Sequence, residues 1–168
     1  MKTISKQFAN DQLFPHIVEM LNAGHTVTLR LKGYSMRPFL EDGRDNALLC
    51  KPTTVSCGDV VLAEIRPGVY VLHRIVRLEA NRVTLRGDGN IGTEQCRLAD
   101  ICAFAVAFYR KGRSVPDYTS GRKWRIYSAL WTRLLPIRRY LLFAYRLWLK
   151  TKQRMKTRKE QKNDDIKM

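Results

Sequence analysis

Val69-Tyr70-Val71-Leu72-His73-Arg74-Ile75-Val76 decides the architecture of this chain. Its apolar positions alternate, and a period of two is that of a half-buried strand. A histidine in such a strand is held at a fixed place on its sheet. Upstream, Thr26-Val27-Thr28-Leu29-Arg30-Leu31-Lys32 alternates in the same way. Together with residues 69 to 78, residues 45 to 51, 59 to 65, 81 to 87 and 100 to 109 read as further strands, separated by Gly, Pro, Asn and Asp. Ahead of them, residues 8 to 23 read as a short amphipathic helix with Phe8, Leu13, Ile17, Met20 and Leu21 roughly on one face. The expected fold class is mainly β, and nothing points to parallel strand-helix units.

The first of these strands delivers the chain to Lys32-Gly33-Tyr34-Ser35-Met36-Arg37-Pro38. A serine between a glycine turn and Met-x-Pro reads as an exposed nucleophile, and His73 lies 38 residues downstream. Singly, each has a plainer explanation. Serine after glycine is ordinary turn chemistry, and a strand histidine is more often a satisfied, half-buried residue than a base. The surroundings change the weighing: Gly58-Asp59-Val60-Val61 lies between the two, and Gly87-Asp88-Gly89-Asn90 follows the histidine by one hairpin length. Four punctuated elements in that order are hard to obtain by chance. The pairing points to Ser-His hydrolysis, in which the imidazole takes the hydroxyl proton as the oxygen attacks a carbonyl.

As a set, Gly-x-Ser-Met-x-Pro, Gly-Asp-Val-Val, His-Arg-Ile-Val and Gly-Asp-x-Asn resemble the superfamily that joins type I signal peptidases to the self-cleaving SOS and phage repressors. The resemblance covers roughly residues 25 to 108, and it implies a signal-peptidase/repressor-like β domain. Most bacterial members use Ser and Lys; the branch similar to archaeal and endoplasmic-reticulum signal peptidases has histidine followed by arginine, as at His73-Arg74. The resemblance makes Ser35 the nucleophile and His73 the general base. It also implies an assisting carboxylate, for which Asp88, within the motif, and Glu94, where the family usually has aspartate, are both candidates. Such a group accepts the second ring N–H and stabilises the imidazolium. Gly-Asp-Gly-Asn is also strong hairpin chemistry in its own right. The backbone N–H groups of Tyr34 and Ser35 are the expected oxyanion donors, provided that Gly33 allows the turn. Many signal peptidases carry a hydroxyl two residues before the nucleophile. Gly33 has none, so the site looks closer to the repressor form. The implied activity is a serine endopeptidase that cleaves a leader or signal-like peptide or preprotein through an acyl-enzyme, after small residues, with the substrate extended along a strand edge.

The 168 residues are enough for one domain with a core plus an appendage. We expect an N-terminal helical segment over 1–24, the β domain over 25–111, a linker over 112–123 and a basic amphipathic helical tail over 124–168. The charge follows that division. Residues 1 to 108 hold 13 Lys and Arg against 11 Asp and Glu, and residues 109 to 168 hold 18 against 4. Cys50, Cys57, Cys96 and Cys102 show no C-x-x-C spacing and no paired histidine, so no metal site and no cofactor are expected, and the thiols are expected reduced and buried. Residues 1 to 24 lack the apolar stretch of a secretory signal, since Pro15-His16 interrupts it and Glu19 follows. The expected location is cytoplasmic, with peripheral docking on the inner membrane face.

Residues 124 to 149 are rich in Trp, Tyr, Leu and Arg. At about 100 degrees per residue, Trp124, Trp131, Leu134, Leu135, Leu141, Leu142, Tyr145 and Trp148 fall in one half, and Arg125, Arg133, Arg139, Arg146 and Lys150 in the other. Pro136 is expected to end one helix and begin the next. Interior arginines weigh against a membrane span, which needs about 20 apolar residues. An interfacial helix on anionic lipid suits residues 124–162 better, and packing against the β domain or a second copy competes closely with it. The basic end, with Lys152, Arg154, Lys156, Arg158, Lys159 and Lys162, reads first as a solvated or disordered extension. Nucleic acid is the weaker partner reading, because no zinc finger, helix-turn-helix or aromatic RNA motif is visible. The alternative to an enzyme is a catalytically inactive family member that binds peptide, membrane or nucleic acid.

Overall fold

The computed structural model describes residues 10–165. It is mainly β. Asn10–Asn22 forms α1, and Val27–Arg30 (β1), Asn46–Cys50 (β2), Val60–Arg66 (β3), Val69–Glu79 (β4), Arg82–Arg86 (β5), Glu94–Arg97 (β6), Ile101–Tyr109 (β7) and Asp117–Tyr118 (β8) form one sheet. Arg122–Arg133 (α2) and Arg138–Asp165 (α3) follow, joined by a 3-10 turn at Leu135–Ile137. The strand order is β1-β2-β7-β3-β4-β5-β6, with β8 also on β7. Every pairing is antiparallel. The chain divides into two compact units, Met1–Thr132 and Arg133–Met168.

All six expected strands are present to within two residues at each end. β6 and β8 were not expected. Glu-Gln-Cys-Arg carries little apolar signal, and it becomes a strand by pairing Glu94 with Leu85 and Cys96 with Val83. Asp117–Tyr118 lies in the segment read as linker, and α2 starts at its end. The helix expected over 8–23 is seen from Asn10; Phe8 lies outside the described residues. Ile17 and Leu21 are buried and Leu13 packs beside them. The cysteines are free, but Cys57 is exposed and the others half-buried, so the expected burial does not hold.

Two buried clusters hold the sheet. One joins Ile17, Leu21, Met36, Phe39, Leu40, Leu49, Val60, Leu62, Phe108 and Trp124; the other joins Val61, Ala63, Ile75, Val83, Leu85 and Ile101. Trp124 is thus a core residue. It lies 4.8 Å from the Phe108 ring and 4.9 Å from the Phe39 ring, centroid to centroid. Residues 124 to 149 do not form one continuous helix, because α2 and α3 are separated by the 3-10 turn that contains Pro136. In α2, Trp124 and Trp131 are buried while Ile126 and Leu130 are exposed. In α3, Leu142 is buried, whereas Leu141, Phe143, Leu147 and Trp148 are exposed. Among the described residues no helix is long and apolar enough to cross a membrane.

The register leaves one gap that matters. β3 covers one edge of Val69–Arg74, and β5 covers the other edge only from Arg74 onward. Among the described residues, the second edge of Val69–His73 therefore has no strand neighbour, and β1 pairs with β2 alone. A cleft of about 140 Å³ lies beside this stretch of β4, lined by Tyr70, Val71, Leu72 and His73 and by Leu31, Lys32 and Gly33, which follow β1.

Candidate active site

Gly33 begins the turn that carries Ser35. Its φ of 86°, in the region that glycine adopts without strain, reverses the chain, and its N–H donates to Asp42 Oδ1 at 2.7 Å. Arg37 N–H donates to Tyr34 O and Leu40 N–H to Met36 O, while buried Met36, Phe39 and Leu40 anchor the turn in the core. Ser35 is left half-exposed at the cleft. Among the described residues, the N–H groups of Tyr34 and Ser35 have no acceptor.

The loop after β5 presses against this turn. Gly89 N–H donates to Ser35 O at 2.7 Å. A Cβ added at Gly87 would stand 2.4 Å from Ser35 O and 3.0 Å from His73 Nε2, and one at Gly89 would stand 2.5 Å from Tyr34 O. Both approaches exclude any side chain. The glycines of Gly-Asp-Gly-Asn are therefore set by close packing on the serine turn, more than by hairpin chemistry. They also locate the site, since the Ser35 backbone and His73 Nε2 converge on one point beside Gly87.

His73 is 4% exposed. Its Nδ1 lies 3.0 Å from Glu94 Oε2 on β6. A carboxylate only accepts, so the shared proton belongs on Nδ1, and Nε2 keeps its lone pair toward the Ser35 side. Burial lowers the His73 pKa below its ordinary value, while Glu94 and, more weakly, Asp88 pull it up without restoring it. The imidazole is accordingly neutral at pH 7. Among the described residues His73 is hydrogen-bonded to Glu94 and not to Ser35 Oγ.

Of the two candidate carboxylates, then, Glu94 meets the histidine and Asp88 does not. Asp88 is corrected to a structural partner. It is 1% exposed, and the Arg74 fork grips it from Nε to Oδ1 at 2.9 Å and from Nη2 to Oδ2 at 2.7 Å. Tyr127 OH donates to Oδ2 at 3.0 Å, and Trp131 Nε1–H donates to the Asp88 carbonyl at 2.9 Å. Arg74 Nη1 donates further to Gly58 O at 2.8 Å and Ser128 Oγ at 2.6 Å. Burial alone would lower the Arg74 pKa, but the Asp88 carboxylate more than offsets it and leaves it raised. Strand alternation explains the division of labour between neighbours: His73 points to the cleft and Arg74 to the opposite face, under α2.

Arg74, Tyr127, Ser128 and Trp131 were not singled out as site residues from sequence. The available signals were the arginine directly after the histidine and the spacing i, i+3, i+4, i+7 of Trp124, Tyr127, Ser128 and Trp131. Among the described residues no group of three or more His, Cys, Asp or Glu side chains is placed to hold a metal ion. No family model matches the chain, and no curated protein matches it.

The electrostatics give a measurable pH dependence. His73 should titrate below its ordinary 6.5, and Glu94→Gln, which removes the main upward influence, should lower it further. The unfolded chain binds this proton more readily, so the His73 contribution to stability is full above 6.5 and is lost as pH falls toward the folded value. Imidazole NMR titration checks this; a wild-type value at or above 6.5, or no downward move in Glu94→Gln, contradicts it.

Proposed function

We propose that this chain is a serine endopeptidase of the signal-peptidase and repressor-like superfamily, histidine branch, acting through Ser35, His73 and Glu94. The observation that carries the reading is the convergence of the Ser35 turn and His73 Nε2 beside Gly87, with Nδ1 held by Glu94. His73 Nε2 takes the Ser35 hydroxyl proton as Oγ bonds to the scissile carbonyl carbon. The free N–H groups of Tyr34 and Ser35 serve the resulting oxyanion. The imidazolium, stabilised by Glu94, gives its proton to the leaving amine as the C–N bond breaks. Water, deprotonated by His73, then hydrolyses the ester and restores Ser35.

The open edge of β4 at Val69–His73 supports an extended substrate that adds as a strand. The cleft of about 140 Å³ beside Ser35 and His73 offers a place for substrate side chains, and small residues before the scissile bond are what the resemblance implies. The substrate class that fits is a leader or signal-like peptide.

The second unit supports a membrane-surface partner. Tyr140, Phe143, Leu147 and Trp148 are exposed on α3 among Arg139, Arg146, Lys150 and Lys152. Arg139 stacks over Tyr140 at 4.5 Å and Lys152 over Trp148 at 5.0 Å. Aromatic side chains flanked by cations suit an anionic headgroup layer.

In a peptide library read by mass spectrometry, the wild type is expected to cut after small residues, and Ser35→Ala and His73→Ala each to lose at least about a thousandfold in rate. Equal cutting by all three proteins refutes the peptidase reading, and folded wild type that cuts nothing favours the binding-module alternative. In co-sedimentation with phosphatidylglycerol vesicles, the wild type is expected in the pellet and Phe143→Ser/Trp148→Ser mostly in the supernatant. Equal pelleting of the two proteins contradicts the membrane-surface partner.

A further inference from the structure

The loop at Gly87–Asn90 has two faces. Gly87 and Gly89 turn toward the serine turn, where Gly89 N–H holds Ser35 O and Gly87 abuts His73 Nε2. Asp88, between them, turns away and is gripped from behind. Three of its holders come from one helix: Tyr127 OH on its carboxylate, Trp131 Nε1–H on its carbonyl, and Ser128 Oγ on the Arg74 that forks it. Residues 127, 128 and 131 share one face of α2, and the Tyr127 and Trp131 rings stack at 6.2 Å. The helix start is fixed to β8, since Lys123 Nζ pairs with Asp117, itself in the reach of Arg110 and Arg113.

We infer that α2 is a positioning element of the candidate active site: Tyr127, Ser128 and Trp131 hold the Gly87–Asn90 loop against the Ser35 turn, and so hold the nucleophile in register with His73. This rests on the peptidase reading, because the site it serves is the Ser35–His73 pair. The physical case lies in the chain of contacts. A donor removed from Asp88 leaves a buried carboxylate or carbonyl short of a partner, and the loop is the part free to shift in response. A shift of the loop displaces Gly89 N–H from Ser35 O and opens the space beside Nε2. A displacement on the order of 1 Å is enough to cost about a hundredfold in rate when reacting groups must be aligned. These residues touch no substrate; they act through the loop.

Tyr127→Phe keeps the phenyl ring and deletes the hydroxyl donor, and Trp131→Phe deletes the indole N–H donor together with the pyrrole part of the ring. The test is the rate at which a fluorophosphonate labels Ser35, located by peptide mapping, alongside amide hydrogen exchange across residues 34–37 and 87–90. The expected result is labelling at least tenfold slower in each variant and faster exchange at Gly89, with a fall in melting temperature no larger than that of the Val83→Ala control. Val83→Ala, in the other core cluster, serves as a control that loses stability and keeps wild-type labelling. Wild-type labelling in both phenylalanine variants, or slowing matched by Val83→Ala, overturns the inference. If the wild type takes no label at Ser35, the peptidase reading fails and the exchange data alone decide: faster exchange at Gly89 in the variants supports the clamp, and unchanged exchange overturns it.

Discussion

The structure depends on a backbone approach too close for any side chain. Gly87 and Gly89 bring their loop against the carbonyls of Ser35 and Tyr34, and the Gly89–Ser35 hydrogen bond closes the contact. Ser35 comes from a turn after β1, His73 from β4 and Glu94 from β6, and these elements are far apart in sequence. A single tight loop is what brings the first two together. Its tightness is maintained from the other side by the buried Arg74–Asp88 pair, whose hydrogen-bonding groups are met by Gly58, Ser128, Tyr127 and Trp131. Removing one partner from such a pair costs about 3–5 kcal/mol, because the other charge is left buried and unpaired. The pair specifies where the loop sits more than it adds net stability.

Adjacent residues on β4 therefore serve opposite faces. His73 is buried but neutral, kept so by desolvation and oriented by Glu94. Arg74 is buried and charged, kept so by Asp88. Burial acts against the charged form in both cases, and the outcome differs because Asp88 is fully buried with its arginine while the Glu94 side chain keeps 30% exposure. The same divergence separates the two carboxylates that sequence alone leaves equivalent. One meets His73; the other pairs with Arg74.

Much of this was legible in the sequence. Strands with apolar alternation read correctly because each buries one face, while at the candidate site the sequence offers Ser35, His73 and two carboxylates, Asp88 and Glu94, of which Glu94 is the one beside His73. What escaped depends on tertiary pairing. Glu94–Arg97 and Asp117–Tyr118 become strands only because β5 and β7 offer them an edge. Arg74 is noticed in the sequence only as the arginine after His73, and its burial under α2 depends on tertiary packing. The tryptophans of 124 to 149 read as one stripe, but Trp124 and Trp131 on α2 are buried, whereas Trp148 on α3 is 54% exposed. The glycines of Gly-Asp-Gly-Asn were read for turn chemistry, whereas their smallness is what the packing uses.

The most direct measurement is fluorophosphonate labelling of Ser35 in Gly87→Ala beside Gly92→Ala. A Cβ at Gly92 meets nothing within 4 Å, whereas one at Gly87 meets Ser35 O at 2.4 Å and His73 Nε2 at 3.0 Å. The account predicts that Gly92→Ala labels like the wild type and that Gly87→Ala, still folded, loses labelling at Ser35. Labelling of folded Gly87→Ala at the wild-type rate would contradict it.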